Sequence, residues 1–182
     1  MEKKPIIIAE VKTKSPFGFQ SNKSWEELFA VAEKVGDMIS IHTDPRWGGS
    51  FDLIAKARRL TKKPILAKGI HENDSDIEKA IESGADFVLV VGRITEVHAD
   101  KCIIEPYTLD ELSKIPETFK ALWNSRDLKT GGRKKETFSE VREIFKGWLC
   151  QASHIQTIED IHPLADAVLV GENLENFAES LR

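Results

Sequence analysis

Apolar, β-branched runs of strand length return eight times along this chain, and that recurrence constrains its fold more than any other feature. The runs are Pro5–Lys12, Met38–Thr43, Pro64–Gly69, Asp86–Gly92, Lys101–Tyr107, Phe119–Ser125, Gly147–Ser153 and Asp166–Glu172. Several are apolar throughout, as expected of parallel strands buried on both faces. Segments with helical spacing separate most of them. Trp25, Leu28, Phe29, Ala32 and Val35 share one face, opened by Ser24 as an N-cap with Glu27 in the capping-box position. Phe51, Ile54 and Ala55 mark a second such segment, and Ile77, Ala80 and Ile81 a third that Gly84 ends. Leu109–Ile115, Phe138–Phe145, Ile158–Leu164 and Leu174–Leu181 continue the alternation. Eight βα units predict an α/β protein folded as a closed parallel (β/α)8 barrel, the TIM-barrel architecture, rather than an open sheet.

One connection is too short for that plan. Only Arg93–Asp100 separates the fourth and fifth runs, whereas a parallel crossover takes about a dozen residues. The fourth helix is therefore expected to be absent or very short. At 182 residues the chain also falls below the roughly 200 at the low end for this fold. The expectation is a compressed barrel filling residues 1–182 as a single domain, with no N-terminal extension before Pro5.

Composition narrows the function classes. Hydrophobic residues at 41% and charged residues at 31% fit an ordinary globular protein. A formal net charge of −4 gives no reason to expect a nucleic acid or an anionic membrane as partner. No apolar stretch approaches a membrane span or a secretory signal core. Cys102 and Cys150 alone make neither a disulfide framework nor a metal cluster, and they read as core residues of a reduced, cytoplasmic protein. His42, His71, His98 and His162 show no recurring ligand spacing, so no metal site is expected.

In barrels of this kind the chemistry sits where strands end and βα loops begin. Alternation along a strand places Ile8, Glu10 and Lys12 on one side, Lys68 in phase with Leu66, and Glu105 in phase with Ile103. The sixth run ends in Asn124-Ser125-Arg126. Charges facing a barrel interior are tolerable only near its open end, where a polar ligand can pair them. Each alone reads as a solvated strand end, but their recurrence at matching positions points to one shared site. A lysine among apolar walls has its pKa lowered and a glutamate has its pKa raised, so both can exchange protons near neutrality.

The phrases around these residues have a family likeness. Ile8-Ala9-Glu10-Val11-Lys12 followed by Ser15-Pro16 resembles the first strand of the indole-3-glycerol phosphate synthase family of tryptophan biosynthesis. Ile39–Asp44 with Trp47-Gly48-Gly49-Ser50, Pro64–Lys68, Ile104-Glu105 and Asn124-Ser125-Arg126-Asp127-Leu128 resemble later strands of that family in the same order. The resemblance implies a carboxy-lyase without metal or organic cofactor. It would close the ring of 1-(2-carboxyphenylamino)-1-deoxyribulose 5-phosphate with decarboxylation and dehydration, giving indole-3-glycerol phosphate. By position, Lys68 is similar to the general acid on the ribulose carbonyl, Glu105 to its partner in dehydration, and Lys12 to the holder of the anthranilate carboxylate. The division of proton steps among these three stays open. Glu10 and Asn124 would position hydroxyls and Arg126 would support binding. Trp47, Leu89, Leu128 and Val170 would wall the aromatic ring or serve as core. The implied partner is a phosphorylated small molecule, and the implied assembly a monomer or weak homo-oligomer.

The chain also departs from that family's pattern. Gly69-Ile70 follows Lys68 where the family has Asp-Phe. Gln151-Ala152-Ser153-His154 stands in place of a Glu-Ser-Gly phrase, with the alignment of Gln151 and Ala152 ambiguous, and Glu172 follows Gly171 where the family has serine. Ser153 and Gly171, with help from Ser15, Gly18 and His154, are the expected phosphate site. Glu172 would repel phosphate there unless it turns away or pairs with a cation. The stretch Lys129–Lys135 is either a solvated loop or an added source of positive charge. A related isomerase of ribulose-phosphate type, such as phosphoribosylanthranilate isomerase, and a non-catalytic binding barrel are the alternatives. The isomerase reaction wants a cysteine at the first strand end, where this chain has none.

Overall fold

The computed structural model describes residues 3–182. Strands β1 (Ile6–Val11), β2 (Met38–His42), β3 (Ile65–Lys68), β4 (Phe87–Val91), β5 (Cys102–Glu105), β6 (Lys120–Asn124), β7 (Leu149–Ala152) and β8 (Ala167–Val170) close into a barrel in sequence order. Every pairing is parallel, and β8 returns to β1 with Ile8 opposite Leu169. The (β/α)8 barrel expected from the eight runs is therefore the fold. Around it lie α1 (Trp25–Val35), α2 (Phe51–Leu60), α3 (Asp74–Glu82), α4 (Leu109–Ser113), α5 (Phe138–Ile144) and α6 (Leu174–Ser180).

Strand alternation divides the apolar residues into two layers. Ile8, Met38, Leu66, Leu89, Ile103, Leu122, Cys150 and Leu169 point inward and fill the barrel. Ala9, Ile39, Ala67, Val88, Ile104, Ala121 and Trp123 point outward, where Leu28, Phe29, Ile54, Ile77, Leu112 and Val141 of the helices cover them. Both cysteines are buried, Cys102 in the outer layer and Cys150 inside the barrel. The first helix starts as its sequence requires. The Ser24 hydroxyl accepts from the Glu27 amide and the Glu27 carboxylate accepts from the Ser24 amide.

The connection from β4 to β5 holds a single 3-10 turn, Ala99–Lys101, in keeping with its short span. A second connection is reduced as well, and here the helix expected over Ile158–Leu164 does not form. Only a 3-10 turn over Ile158–Asp160 follows β7. Two causes are visible. Pro163 disfavours helical geometry at His162. The Asp160 carboxylate is also taken by the Gln156 and Thr157 amides, which closes the turn on itself. No helix among the described residues is long and apolar enough to cross a membrane.

Candidate active site

The inward phase of the strands continues past the apolar plug into a polar layer at their C-terminal ends. Glu10 is its centre and is 1% exposed. Lys68 Nζ lies 3.3 and 3.2 Å from its two oxygens. His42 Nε2 stands 2.8 Å from Oε1, although its N–H direction is not aligned for a hydrogen bond. Burial works to raise the Glu10 pKa, but Lys12, Lys68 and His42 outweigh it and hold the carboxyl well below its ordinary value. A Cβ at position 171 would stand 2.5 Å from Glu10 Oε2, so Gly171 leaves the room that this carboxylate fills.

Lys12 follows one turn of the pleat above Glu10. Burial lowers its pKa against the opposing pull of Glu10, and Lys68 adds to the lowering. Glu105 faces the same space from β5 and behaves oppositely to Glu10. Its Oε1 is buried without a hydrogen-bond partner, and burial raises its pKa despite Lys68, Lys134 and Asn124, which favour the ionised form. Asn124 is itself held in place, its Oδ1 accepting from the Ser153 hydroxyl at 2.6 Å and the Arg126 amide at 3.0 Å.

These groups surround a cavity that opens at the C-terminal ends of the strands. Lys12, Lys68, Glu105, Asn124, Arg126, Ser153 and Glu172 supply its polar surface, and Phe17, Trp47, Ile70, Leu89, Val91 and Leu128 its apolar wall. Trp47 is fixed by an edge-on contact with Phe17 at 6.2 Å and by stacking on His42 at 5.2 Å. A second cleft adjoins it at the ends of β7 and β8. Glu10, Lys12, Lys68, Arg126, Ser153, His154, Gly171 and Glu172 line that cleft.

The structure thus brings together Lys12, Lys68, Glu105, Glu10, Asn124, Arg126, Trp47, Leu128, Ser153 and Gly171. Ser15 stands apart. Its hydroxyl accepts from the Phe17 and Phe19 amides and stabilises the first loop rather than facing either cavity. Val170 packs outward with Ile7 and Phe177, so its side chain belongs to the shell and not to a ring wall. The seventh strand is now unambiguous: Ala152 faces the barrel, while Gln151 faces out to bond Asp160 and His162. Glu172 pairs with two cations, Arg126 at 3.0 Å and Lys12 at 3.7 Å.

Two contributors, His42 and Phe17, stand outside the expected site residues, and a third, Lys134, lies in the Lys129–Lys135 stretch expected as a solvated loop or an added source of positive charge. His42 shares the inward phase of Met38 and Ser40, a signal that was available; burial lowers its pKa to about 4. Phe17 comes from a loop and supplies a ring to the wall. Lys134 lies over Trp123 at 4.2 Å, and an antiparallel bridge between Arg126 and Arg133 folds its loop back toward Glu105.

Comparison with known proteins decides the family. The family model for indole-3-glycerol phosphate synthase matches residues 1–112, which include Glu10, Lys12, Lys68 and Glu105. The chain belongs to the indole-3-glycerol phosphate synthase family. An indole-3-glycerol phosphate synthase of Pyrococcus furiosus is 31% identical over 217 residues, covering 99% of this chain and 91% of its own length. One from Sulfurisphaera tokodaii is 37% identical over 93 residues, 50% of this chain and 38% of the relative. The chain spans from 37% to 64% of the length of three curated relatives that it matches. Among solved structures, a 3-hexulose-6-phosphate synthase superposes with a TM-score of 0.65 at 13% identity, covering 94% of this chain and 99% of the other, a likeness of fold. In this chain β7 ends on Ala152, which faces the barrel interior, and Glu172 follows β8 at the cavity mouth.

Proposed function

We propose that this chain is an indole-3-glycerol phosphate synthase, closing the indole ring of 1-(2-carboxyphenylamino)-1-deoxyribulose 5-phosphate with loss of carbon dioxide and water. One observation carries the reading. Three cations and a buried glutamate whose pKa is raised by burial converge on a single cavity whose opposite wall is apolar and aromatic. The anthranilate ring would lie along Trp47, Leu89 and Leu128, with Phe17 in the place of a ring contributed by the family after its third strand.

Lys68 is the general acid. Glu10 holds its ammonium at 3.2 Å, so it is oriented before substrate arrives and can protonate the ribulose carbonyl oxygen as the ring carbon attacks. The bond from that attacking ring carbon to its carboxylate then breaks, and the electron pair left by departing carbon dioxide restores the aromatic ring. Glu105 serves the dehydration, since a carboxyl whose pKa is raised by burial can both give and take a proton near neutrality. Lys12 receives the anthranilate carboxylate, Asn124 and Ser153 the sugar hydroxyls, and Arg126 with the cleft beside Gly171 the phosphate. Glu10 acts by positioning Lys68 and not by touching substrate.

Purified protein mixed with the substrate should develop the fluorescence of indole-3-glycerol phosphate. Lys68→Ala should lower that rate by about 10²–10⁴, the usual worth of a positioned general acid. Folded wild-type protein that forms no product at any temperature up to its unfolding overturns the assignment.

A further inference from the structure

One charge at the mouth shared by the two cavities has no part in the chemistry just described. Glu172 follows β8 and reaches across the opening, with Oε2 3.0 Å from Arg126 and Oε1 3.7 Å from Lys12. The three side chains are 23%, 19% and 10% exposed, so water screens them only in part. Below them Glu10 already holds Lys68. Each of the three cations that face a ligand is therefore matched by a carboxylate of the chain itself.

We propose that Glu172 is a specificity-determining residue, an internal carboxylate that competes with the ligand's anionic groups for Arg126 and Lys12. The inference rests on the reading that this site takes a phosphorylated substrate. A polyanion can reach the two cations only by displacing Glu172 or by sharing them with it, and either way its binding is weakened. Glu172 lies on the rim, outside any strand or helix, so its side chain can swing into water when an anion arrives. Its charge thereby sets how strongly the site prefers a doubly charged phosphate over a less charged analogue.

The test reads inorganic phosphate affinity, by calorimetry, beside KM for the carboxyphenylamino-deoxyribulose phosphate. Glu172→Gln and Glu172→Ser should each tighten phosphate and lower KM about tenfold, equal to 1.4 kcal/mol. Glu175→Gln removes the same charge from the outer face of α6, where Glu175 pairs with Lys23, and should move neither constant. Phosphate affinity that is unchanged or weaker in both Glu172 variants, with their melting profiles intact, overturns the proposal. The phosphate measurement needs no turnover. A protein that binds phosphate more tightly on loss of Glu172 but makes no indole product upholds the role of Glu172 and refutes the synthase assignment alone.

Discussion

Replacing Glu105 with glutamine should abolish most activity and yet stabilise the protein. The side chain is 2% exposed, and its Oε1 has no hydrogen-bond partner. A buried polar group left unpaired costs roughly 1–3 kcal/mol, and more when charged. Lys68 and Lys134 return part of that by attraction, so glutamine, of equal shape and no charge, should gain about 1–2 kcal/mol at pH 8. The gain has a definite pH dependence. Below the ordinary carboxylate pKa both the folded and unfolded chains hold the proton, and the penalty is absent. As pH rises past that value the unfolded chain ionises first while the folded one retains its proton, so wild-type stability falls until the raised folded pKa is passed. The advantage of Glu105→Gln should thus be near zero at pH 4, grow above it and then level off. Urea unfolding of both proteins across pH 4–9 measures this, with m-values expected to agree. A variant less stable than wild type at pH 8, or a difference that does not change with pH, refutes the account of Glu105 as a buried group under desolvation strain.

Glu10→Gln should do the reverse, destabilising the fold by about 3 kcal/mol at pH 7, because it leaves the largely buried Lys68 without its anion and removes the Glu10 field from Lys12. Thermal unfolding should register this as a drop of about 6–12 °C, and a loss under about 1 kcal/mol counts against the carboxylate as the hub of the site. Gly49→Ala places a Cβ against the His42 backbone carbonyl, a clash that flexible side-chain motion does not relieve. It should cost about 2–3 kcal/mol by the same unfolding assay, and a neutral effect would show that the loop after β2 moves freely.

Much of this was legible in the chain because alternation along a parallel strand is a strict code. Once Ile8, Leu66 and Ile103 are assigned to the barrel interior, Glu10, Lys68 and Glu105 must follow them inward. The same phase carries His42 inward from Met38 and Ser40, a position that ligand spacing does not reveal. What escaped lies in loops, which have no period. Phe17 reaches the ring wall through a hairpin whose turn is held by the Ser15 hydroxyl, so the serine expected at the ligand is engaged by its own loop. The helix expected after β7 does not form because Asp160 closes a turn that the apolar spacing of Ile158 and Ile161 does not encode. The partners of Glu172 come from the residue after β1 and the loop after β6, a meeting that only barrel closure creates.

Glu10 and Glu105 are alike in residue type, depth and strand-end position, yet their removal should move stability in opposite directions. The difference lies in what faces each carboxylate. Glu10 has Lys68, His42 and the field of Lys12 within its layer, enough attraction to overcome the loss of water around it. Glu105 has an apolar approach from Ile103 and Leu122 below and no hydrogen bond at Oε1, so desolvation prevails. Placing both on one ring of strand ends sets a carboxyl with a lowered pKa opposite one with a raised pKa, and Lys68 favours the ionised form of each. The two could not exchange tasks, since a proton placed on Glu10 would release the lysine that it orients. The apolar plug below this ring, from Ile8 to Leu169, contains the barrel's stability at the far end and leaves the upper layer free to hold one glutamate at a thermodynamic disadvantage.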